Sequence, residues 1–438
     1  MVDVILLIAV LVEVAFASYC IATRSNQGRV RNYLRVGALA AFVLLALAFV
    51  IQWGLRWYGL ALLLLIWAIL GVVGLVRNQE SGREFQTGAA VRQAVGTLLL
   101  VFLVSIPALI FPQYQLPKPT GSHQVATVTY TYIDPSRVDT FSKTGENRAV
   151  TVEFWYPQAA SGKYPLVVFS HGSFGTRTSN TSTFLNLASN GYVVCSIDHP
   201  HQSLLARGAN GRMVTIDPGF VQSVVNANAG KYDEVTDFQL ETEWMKPRIA
   251  DIHFVLNTVL ADARGASSDP VYQIIDTEKI GLIGHSLGAE SAAQVARERN
   301  DVKAVVNLDA DLHGEYVDSG NGQYVPNQQL YPVPILTILS DTLVRLIDAV
   351  PNANTVIAVK HVTATAPDAY EIDLPGTDHM SMTDVPLMSP FLVWVINSSV
   401  PKAGGVEVDP YATLQTMNQD VLVFFNVYLK GQGTFSPQ

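Results

Sequence analysis

The spacing of apolar positions changes near residue 112. Before it lie four almost uninterrupted apolar stretches, about 2–22, 36–53, 57–76 and 94–111, each near the roughly 20 residues that cross a bilayer as a helix. After residue 123 the runs are shorter. Residues 125–133 and 149–156 alternate apolar with polar, as half-buried strands do. Pro165-Leu166-Val167-Val168-Phe169-Ser170 is continuous, as a strand buried on both faces is. Further strands are expected over 192–197, 279–283, 302–308, 334–339, 355–362 and 369–374, and helices over 181–189, 241–263, 289–299 and 411–429. Strands alternating with helices predict an α/β fold, a mostly parallel sheet covered on both faces.

The pattern therefore divides the chain into a membrane domain with four transmembrane helices (1–111), a linker (112–122, with three prolines) and one α/β domain (123–438). Two polar stretches rich in Gly, Asn and Gln, 201–238 and 312–331, interrupt the alternation just after strand ends. Ligands bind at such ends in open α/β sheets, so both stretches are expected to be lid or substrate-contact loops.

Composition sharpens this division. Of 438 residues, 49% are hydrophobic and only 15% charged, and the apolar excess is concentrated in the first part. Residues 1–122 carry a net charge of +5 and the remainder −14. An acidic second part gives no reason to expect nucleic acid as a partner. Arg24, Arg29, Arg31 and Arg35 read as the first connection and Arg77, Arg83 and Arg92 as the third, whereas the second has only Arg56. The positive-inside rule then places both basic connections in the cytoplasm, and the N-terminus and everything after Phe111 on the extracytoplasmic side of a cell membrane. The first stretch carries Asp3 and no basic residue at its start, so it is expected to be retained rather than cleaved. Glu13, an acidic residue within it, is expected to face another helix of an anchor. Cys20 and Cys195 are the only cysteines, and they imply neither a disulfide framework nor a cysteine-based metal site.

The candidate chemistry centres on Gly284-His285-Ser286-Leu287-Gly288, placed between an apolar strand and a helix with small residues along one side. A serine in such a turn is lifted clear of the sheet as a nucleophile. The five-residue pattern is common enough to need support from elsewhere. His171-Gly172-Ser173-Phe174-Gly175 follows a buried strand and offers backbone N–H groups; those of Ser173 and Leu287 would form an oxyanion hole. His379, on a loop after the last strand, is placed to act as base, whereas His361 falls within an expected strand and His285 is expected to pack away from the serine. Asp309 and Asp341 each end a strand between the serine and the histidine, and either preserves the order Ser, Asp, His. His199-x-His201 and Asp309-x-Asp311-x-His313 have metal-like spacing, but no accompanying motif supports a catalytic metal, and no cofactor is expected.

The second part resembles the plasma-type platelet-activating factor acetylhydrolase family of α/β-hydrolases over most of residues 146–385. The matching stretches are Phe154-Trp155-Tyr156-Pro157, Phe169-Ser170-His171-Gly172 with Arg177-Thr178, Ile197-Asp198-His199, the serine pentapeptide, Leu308-Asp309-Ala310, and His379 with Asp384. The resemblance implies an α/β-hydrolase fold, metal-free hydrolysis of short or oxidised acyl esters, and Asp309 as the acid with Asp341 as the alternative. The four N-terminal stretches and the loop after Asp309 depart from the family. The expected function is thus a membrane-anchored serine ester hydrolase acting on a small-molecule or lipid ester. The alternatives are a lipase or polyester hydrolase of broad chain length, and a catalytically silent binding domain of a membrane sensor or transporter.

Overall fold

A computed structural model of the chain describes all residues except 78–83, 142–144, 159–160, 266, 319–323, 350–353, 398–407 and 437–438. Arg83 lies outside the described residues. The chain forms two compact units, Met1–Gln115 with Leu387–Val395, and Leu116–Pro386 with Ile396–Gln438.

The first unit contains α1 (Val2–Thr23), α2 (Gly28–Leu47), α3 (Tyr58–Val76) and α4 (Thr87–Ile110), all long and apolar enough to cross a membrane. Phe42, Trp57, Leu60, Leu64 and Val101 form its packed seam. The second helix begins earlier than its apolar run, so Arg29, Arg31 and Arg35 lie on α2 rather than in a connection. Arginine is a good helix former, and the turn is made instead by left-handed backbone at Arg24 and Gln27. Glu13 faces Arg31 at 3.5 Å, giving the acidic residue a partner on a neighbouring helix. A short helix far downstream, Pro390–Asn397, joins this unit, where Ser389 Oγ donates to the Ile110 carbonyl at 2.6 Å.

The second unit is built on eight strands: β1 (Val125–Val138), β2 (Asn147–Pro157), β3 (Tyr164–Ser170), β4 (Val193–Asp198), β5 (Ile275–His285), β6 (Val302–Leu308), β7 (Ile335–Ser340) and β8 (Ala369–Leu374). Their order is β1-β2-β4-β3-β5-β6-β7-β8; β2 runs antiparallel to both its neighbours and the rest are parallel. Alternation along β3 shows why both faces are covered. Leu166 and Val168 join a core with Ile252, Val255 and Val259, whereas Phe169 packs on Phe184 at 4.9 Å. The first face is covered by α7 (Glu234–Arg264), after α5 (Thr181–Ser189) and α6 (Pro218–Asn228) in the chain, and by α8 (Leu287–Glu298). This is an α/β-hydrolase fold.

Three expectations about elements change. Residues 355–362 belong to a helix, α10 (Asn354–Thr365), which follows α9 (Asp341–Ala349), and not to a strand. The β-branched residues suggested a strand, but Ala358, Val359 and Val362 are buried at helical spacing against the core. The two polar stretches are not plain loops. One contains the antiparallel pair Leu205–Arg207 and Met213–Thr215 followed by α6; the other contains the pair Tyr316–Asp318 and Tyr324–Pro326. The closing helix is α11 (Pro410–Lys430).

Candidate active site

The register of the parallel strands brings the candidate residues to one edge. Ser170 pairs with Gly284, His285 with Leu308, Leu308 with Ile338, and Ser340 with Leu374. The residues that follow, His171, Ser286, Asp309 and Asp341, therefore leave the sheet side by side at its carboxyl edge, and His379 lies on the loop after β8.

Ser286 joins β5 to α8 with φ 54° and ψ −135°, a conformation that few side-chain-bearing residues adopt. Backbone hydrogen bonds hold it there: its N–H donates to the Leu308 carbonyl at 2.9 Å, and its carbonyl accepts from Ala289 N–H at 2.7 Å and Glu290 N–H at 3.2 Å. Close packing explains the flanking glycines, since a Cβ at Gly288 would lie 2.2 Å from the Ser170 carbonyl oxygen and one at Gly284 would lie 2.4 Å from the Gly288 carbonyl carbon. The N–H of Leu287 opens α8 and belongs to the first-turn donors that a helix does not satisfy internally.

The Ser173 turn reaches the same point from β3. A Cβ on Gly172 would come 3.1 Å from Ser286 Cβ, so this backbone lies against Ser286. Sequence reasoning missed what holds it. Arg248, fully buried on α7, donates to the carbonyls of His171 and Gly172 and, at 2.6 Å, to Gln202 Oε1. His171 donates from Nδ1 to the Gly172 carbonyl at 2.7 Å and accepts at Nε2 from Ser203 Oγ at 2.7 Å. Arg248 sits on the same face of α7 as Met245, Ile252, Val255 and Val259, so an arginine within an apolar stripe was the available signal.

Asp309 and His379 meet. His379 Nδ1 donates to Asp309 Oδ2 at 2.7 Å, and Asp309 also accepts from Ser340 N–H at 2.6 Å and Ser340 Oγ at 2.9 Å. Burial works against charge on both groups, yet their mutual attraction prevails. The His379 imidazole is raised above its ordinary pKa by Asp309, and the Asp309 carboxyl is lowered by His379 and the Ser340 N–H. The His379 side chain remains 45% exposed, accessible to a reactant, while Asp309 is buried. Asp341 turns elsewhere, accepting from Arg345 at 2.9 and 3.1 Å and from Gly376 N–H at 3.2 Å.

The His379 loop is pinned independently. Asp378 accepts from Ser381 N–H at 3.0 Å, Asn180 donates to the Met382 carbonyl at 2.6 Å, and Asp384 accepts from Ser182 N–H at 2.9 Å. Burial pushes the Asp384 carboxyl up to about 7. His285 donates from Nε2 to the His379 carbonyl at 3.0 Å, and burial beside His379 pushes its pKa down to about 3, which keeps it neutral. His361 lies on α10, away from these strand ends. Of the two metal-like spacings, His199 turns to Asp251 at 3.1 Å and His201 to Asp139 at 3.0 Å, so that pair does not converge.

A match to the family described as "Platelet-activating factor acetylhydrolase, isoform II" runs over residues 142–436, more than half of the chain. The chain belongs to this family. Among relatives, a probable 1-alkyl-2-acetylglycerophosphocholine esterase from Arthroderma benhamiae is 27% identical over 158 residues, 36% of this chain and 34% of that protein. A platelet-activating factor acetylhydrolase from Bos taurus is 26% identical over 167 residues, 36% of this chain and 37% of that protein. The chain thus spans about a third of the length of these relatives. Its fold is also that of a ferulic acid esterase from Streptomyces cinnamoneus, with TM-score 0.53 at 22% identity, over 72% of this chain and 93% of that one.

Proposed function

We propose that this family member is a membrane-anchored serine carboxylic-ester hydrolase acting on short-acyl or phospholipid-type esters. The observation that carries the reading is the Asp309–His379 pair at 2.7 Å beside a serine held at positive φ between β5 and α8. Ser286 Oγ attacks the ester carbonyl carbon while His379 Nε2 takes its proton, and Asp309 holds the ring in the tautomer that leaves Nε2 free to accept. The N–H groups of Ser173 and Leu287 stabilise the oxyanion of the tetrahedral intermediate. The intermediate collapses as the imidazolium gives its proton to the leaving alcohol, forming an acyl-Ser286 ester. Water, deprotonated by His379, then releases the acid. No step calls for a cofactor.

An apolar cluster lies next to Ser286: Leu287 is buried there with Phe220, Val224 and Met245, and Phe174 and Trp244 pack against them, a surface suited to the apolar part of an ester. The similarity to acetylglycerophosphocholine-type esterases supports the short-acyl class. The four apolar helices support an integral anchor, and the basic residues near the α1–α2 and α3–α4 turns favour an extracytoplasmic catalytic unit.

A fluorophosphonate label on membranes containing the full chain, with the modified residue mapped, tests the reading. Labelling at Ser286 and hydrolysis of p-nitrophenyl acetate that disappears in Ser286→Ala are expected. Equal turnover in that variant would overturn it. A chain-length series favouring palmitate over acetate would replace the short-acyl reading with a lipase or polyester hydrolase. Protease protection of the catalytic unit in intact cells would reverse the orientation.

A further inference from the structure

Asp311 and His313 follow the acid Asp309 in the chain but join a different group. Carboxylate oxygens of Glu241 on α7, Glu290 on α8 and Asp311 all lie within 4.8 Å of one another, and His313 Nδ1 is 3.1 Å from Glu241 Oε2. Glu290 is only 4% exposed, and its Oε2 is buried with no hydrogen-bond partner among the described residues. One turn further along α8, Gln294 Oε1 is likewise buried without a partner, because its amide nitrogen is committed to Glu298 Oε1 at 2.8 Å. Both orphaned atoms are acceptors, so what the region lacks is positive charge or donors. Arg248 feels the charge of Glu290, but its hydrogen bonds go to Gln202 and to the His171 and Gly172 carbonyls.

Three carboxylates confined in this way cannot all ionise without compensation, and burial with Glu241 and Asp311 beside it raises the Glu290 carboxyl well above its ordinary range. Shared protons are one form of compensation. A proton bridges two oxygens at a time, however, and leaves a third without a donor. A hard divalent cation engages all of them: oxygens about 2.3–2.6 Å from a calcium ion lie up to about 5 Å from one another, the spacing found here.

We propose that Glu241, Glu290 and Asp311 form a binding site for a divalent cation of calcium size, tying α7 and the segment after β6 to the helix that begins at the Ser286 turn. The site is separate from the ester chemistry and does not depend on that reading. Its ligands come from elements far apart in sequence, so occupancy would stabilise the second unit as a whole by binding the native state alone.

The test uses the full chain in detergent, stripped with EGTA, titrated calorimetrically with calcium chloride and followed by thermal unfolding. Binding of one calcium ion per chain and a rise of a few degrees in the unfolding midpoint are expected, with affinity reduced at least about tenfold in Glu290→Gln and in Asp311→Asn. In EGTA the same variants should unfold no earlier than the stripped wild type, because each removes repulsion. Circular dichroism confirms that they fold, and Glu241→Gln replaces either one that does not. Absence of any calcium or manganese response in the wild type up to millimolar concentration would overturn the proposal in favour of shared protons. A calcium response unchanged in the variants would overturn it by placing the ion elsewhere.

Discussion

The second unit contains two histidine–aspartate pairs, each near a serine, and they differ in almost everything but composition. In one, His379 is bonded to Asp309 at the edge of the sheet beside Ser286. In the other, Ser170 Oγ donates to His199 Nε2 at 2.9 Å, and His199 Nδ1 donates to Asp251 at 3.1 Å. The second pair is sealed, with Ser170 1% exposed and both His199 and Asp251 at 0%. Its carboxylate is also claimed by cations: Arg148 makes two bonds of 2.7 Å to Asp251, and Arg137 lies at 2.8 Å. The electrostatic results are opposite. Asp309 serves one histidine and raises its pKa, whereas burial and the neighbouring arginines hold His199 down to about 4. A base must be accessible and must pass through its protonated form; His199 is neither exposed nor easily protonated. On the proposed reading, what sets the reacting pair apart is access and a carboxylate that no arginine claims, whereas the same side-chain types, sealed and neutralised, serve as scaffold.

Several substitutions would break or sharpen this contrast. The largest effect is expected at Ser286→Ala, a loss of kcat on the order of 10⁴-fold or more together with loss of fluorophosphonate labelling, whereas Ser170→Ala keeps both. Asp309→Asn should lower kcat by about 10⁴-fold, while Asp341→Asn, which removes only contacts to Arg345 and Gly376, keeps most of the activity; the reverse pattern in steady-state kinetics would exchange the two roles. The pH profile gives an independent reading. A base is lost as pH falls through its pKa, so the acid limb of kcat/KM should have its midpoint above the ordinary imidazole value of 6.5, and weakening the pair with Asp309→Asn should move it down.

Stability should respond to the other pair. Asp251→Asn leaves two arginines facing a neutral group and should cost about 3–5 kcal/mol in denaturant unfolding. The pH dependence has a definite sign. The depressed Asp251 carboxyl contributes stability above the unfolded value of 3.8 and loses it as pH falls through its lower native value. His199 adds to this, since the unfolded chain takes up its proton near 6.5 and the native protein only near 4, so the thermal midpoint should drop as pH is lowered from 6.5 to 4. The smallest effect is that of Ser170→Ala, about 1–2 kcal/mol, because it removes one buried hydrogen bond and leaves the charges paired.

Much of this was legible before folding was considered, and the reasons are local. Four uninterrupted apolar stretches have no alternative in water, and the β6 and β8 bounds follow from runs ended by Asp309 and by Pro375-Gly376. Ser286 was legible because the elbow needs glycines at fixed offsets where strand and helix backbones touch. The α10 helix was misread because β-branched residues at helical spacing satisfy both patterns over so short a run. Arg248, Asp251 and Glu290 were passed over because a charged residue on an otherwise apolar helix face looks like an ordinary solvated position until its neighbours are known.

Sequence alone therefore determined most of the elements, the four apolar helices and the strand-turn-helix that carries Ser286, all of which depend on periodicity or on steric needs within a few residues. Only the tertiary structure decided which carboxylate meets His379, which histidine is sealed into scaffold, and where Asp311 and His313 go after parting from Asp309. Those choices are set by strand register and helix packing between residues tens of positions apart, 70 for His379 and Asp309, 52 for His199 and Asp251, and 103 for Arg148 and Asp251. No local pattern specifies contacts at that range; burial and charge compensation in the folded unit do.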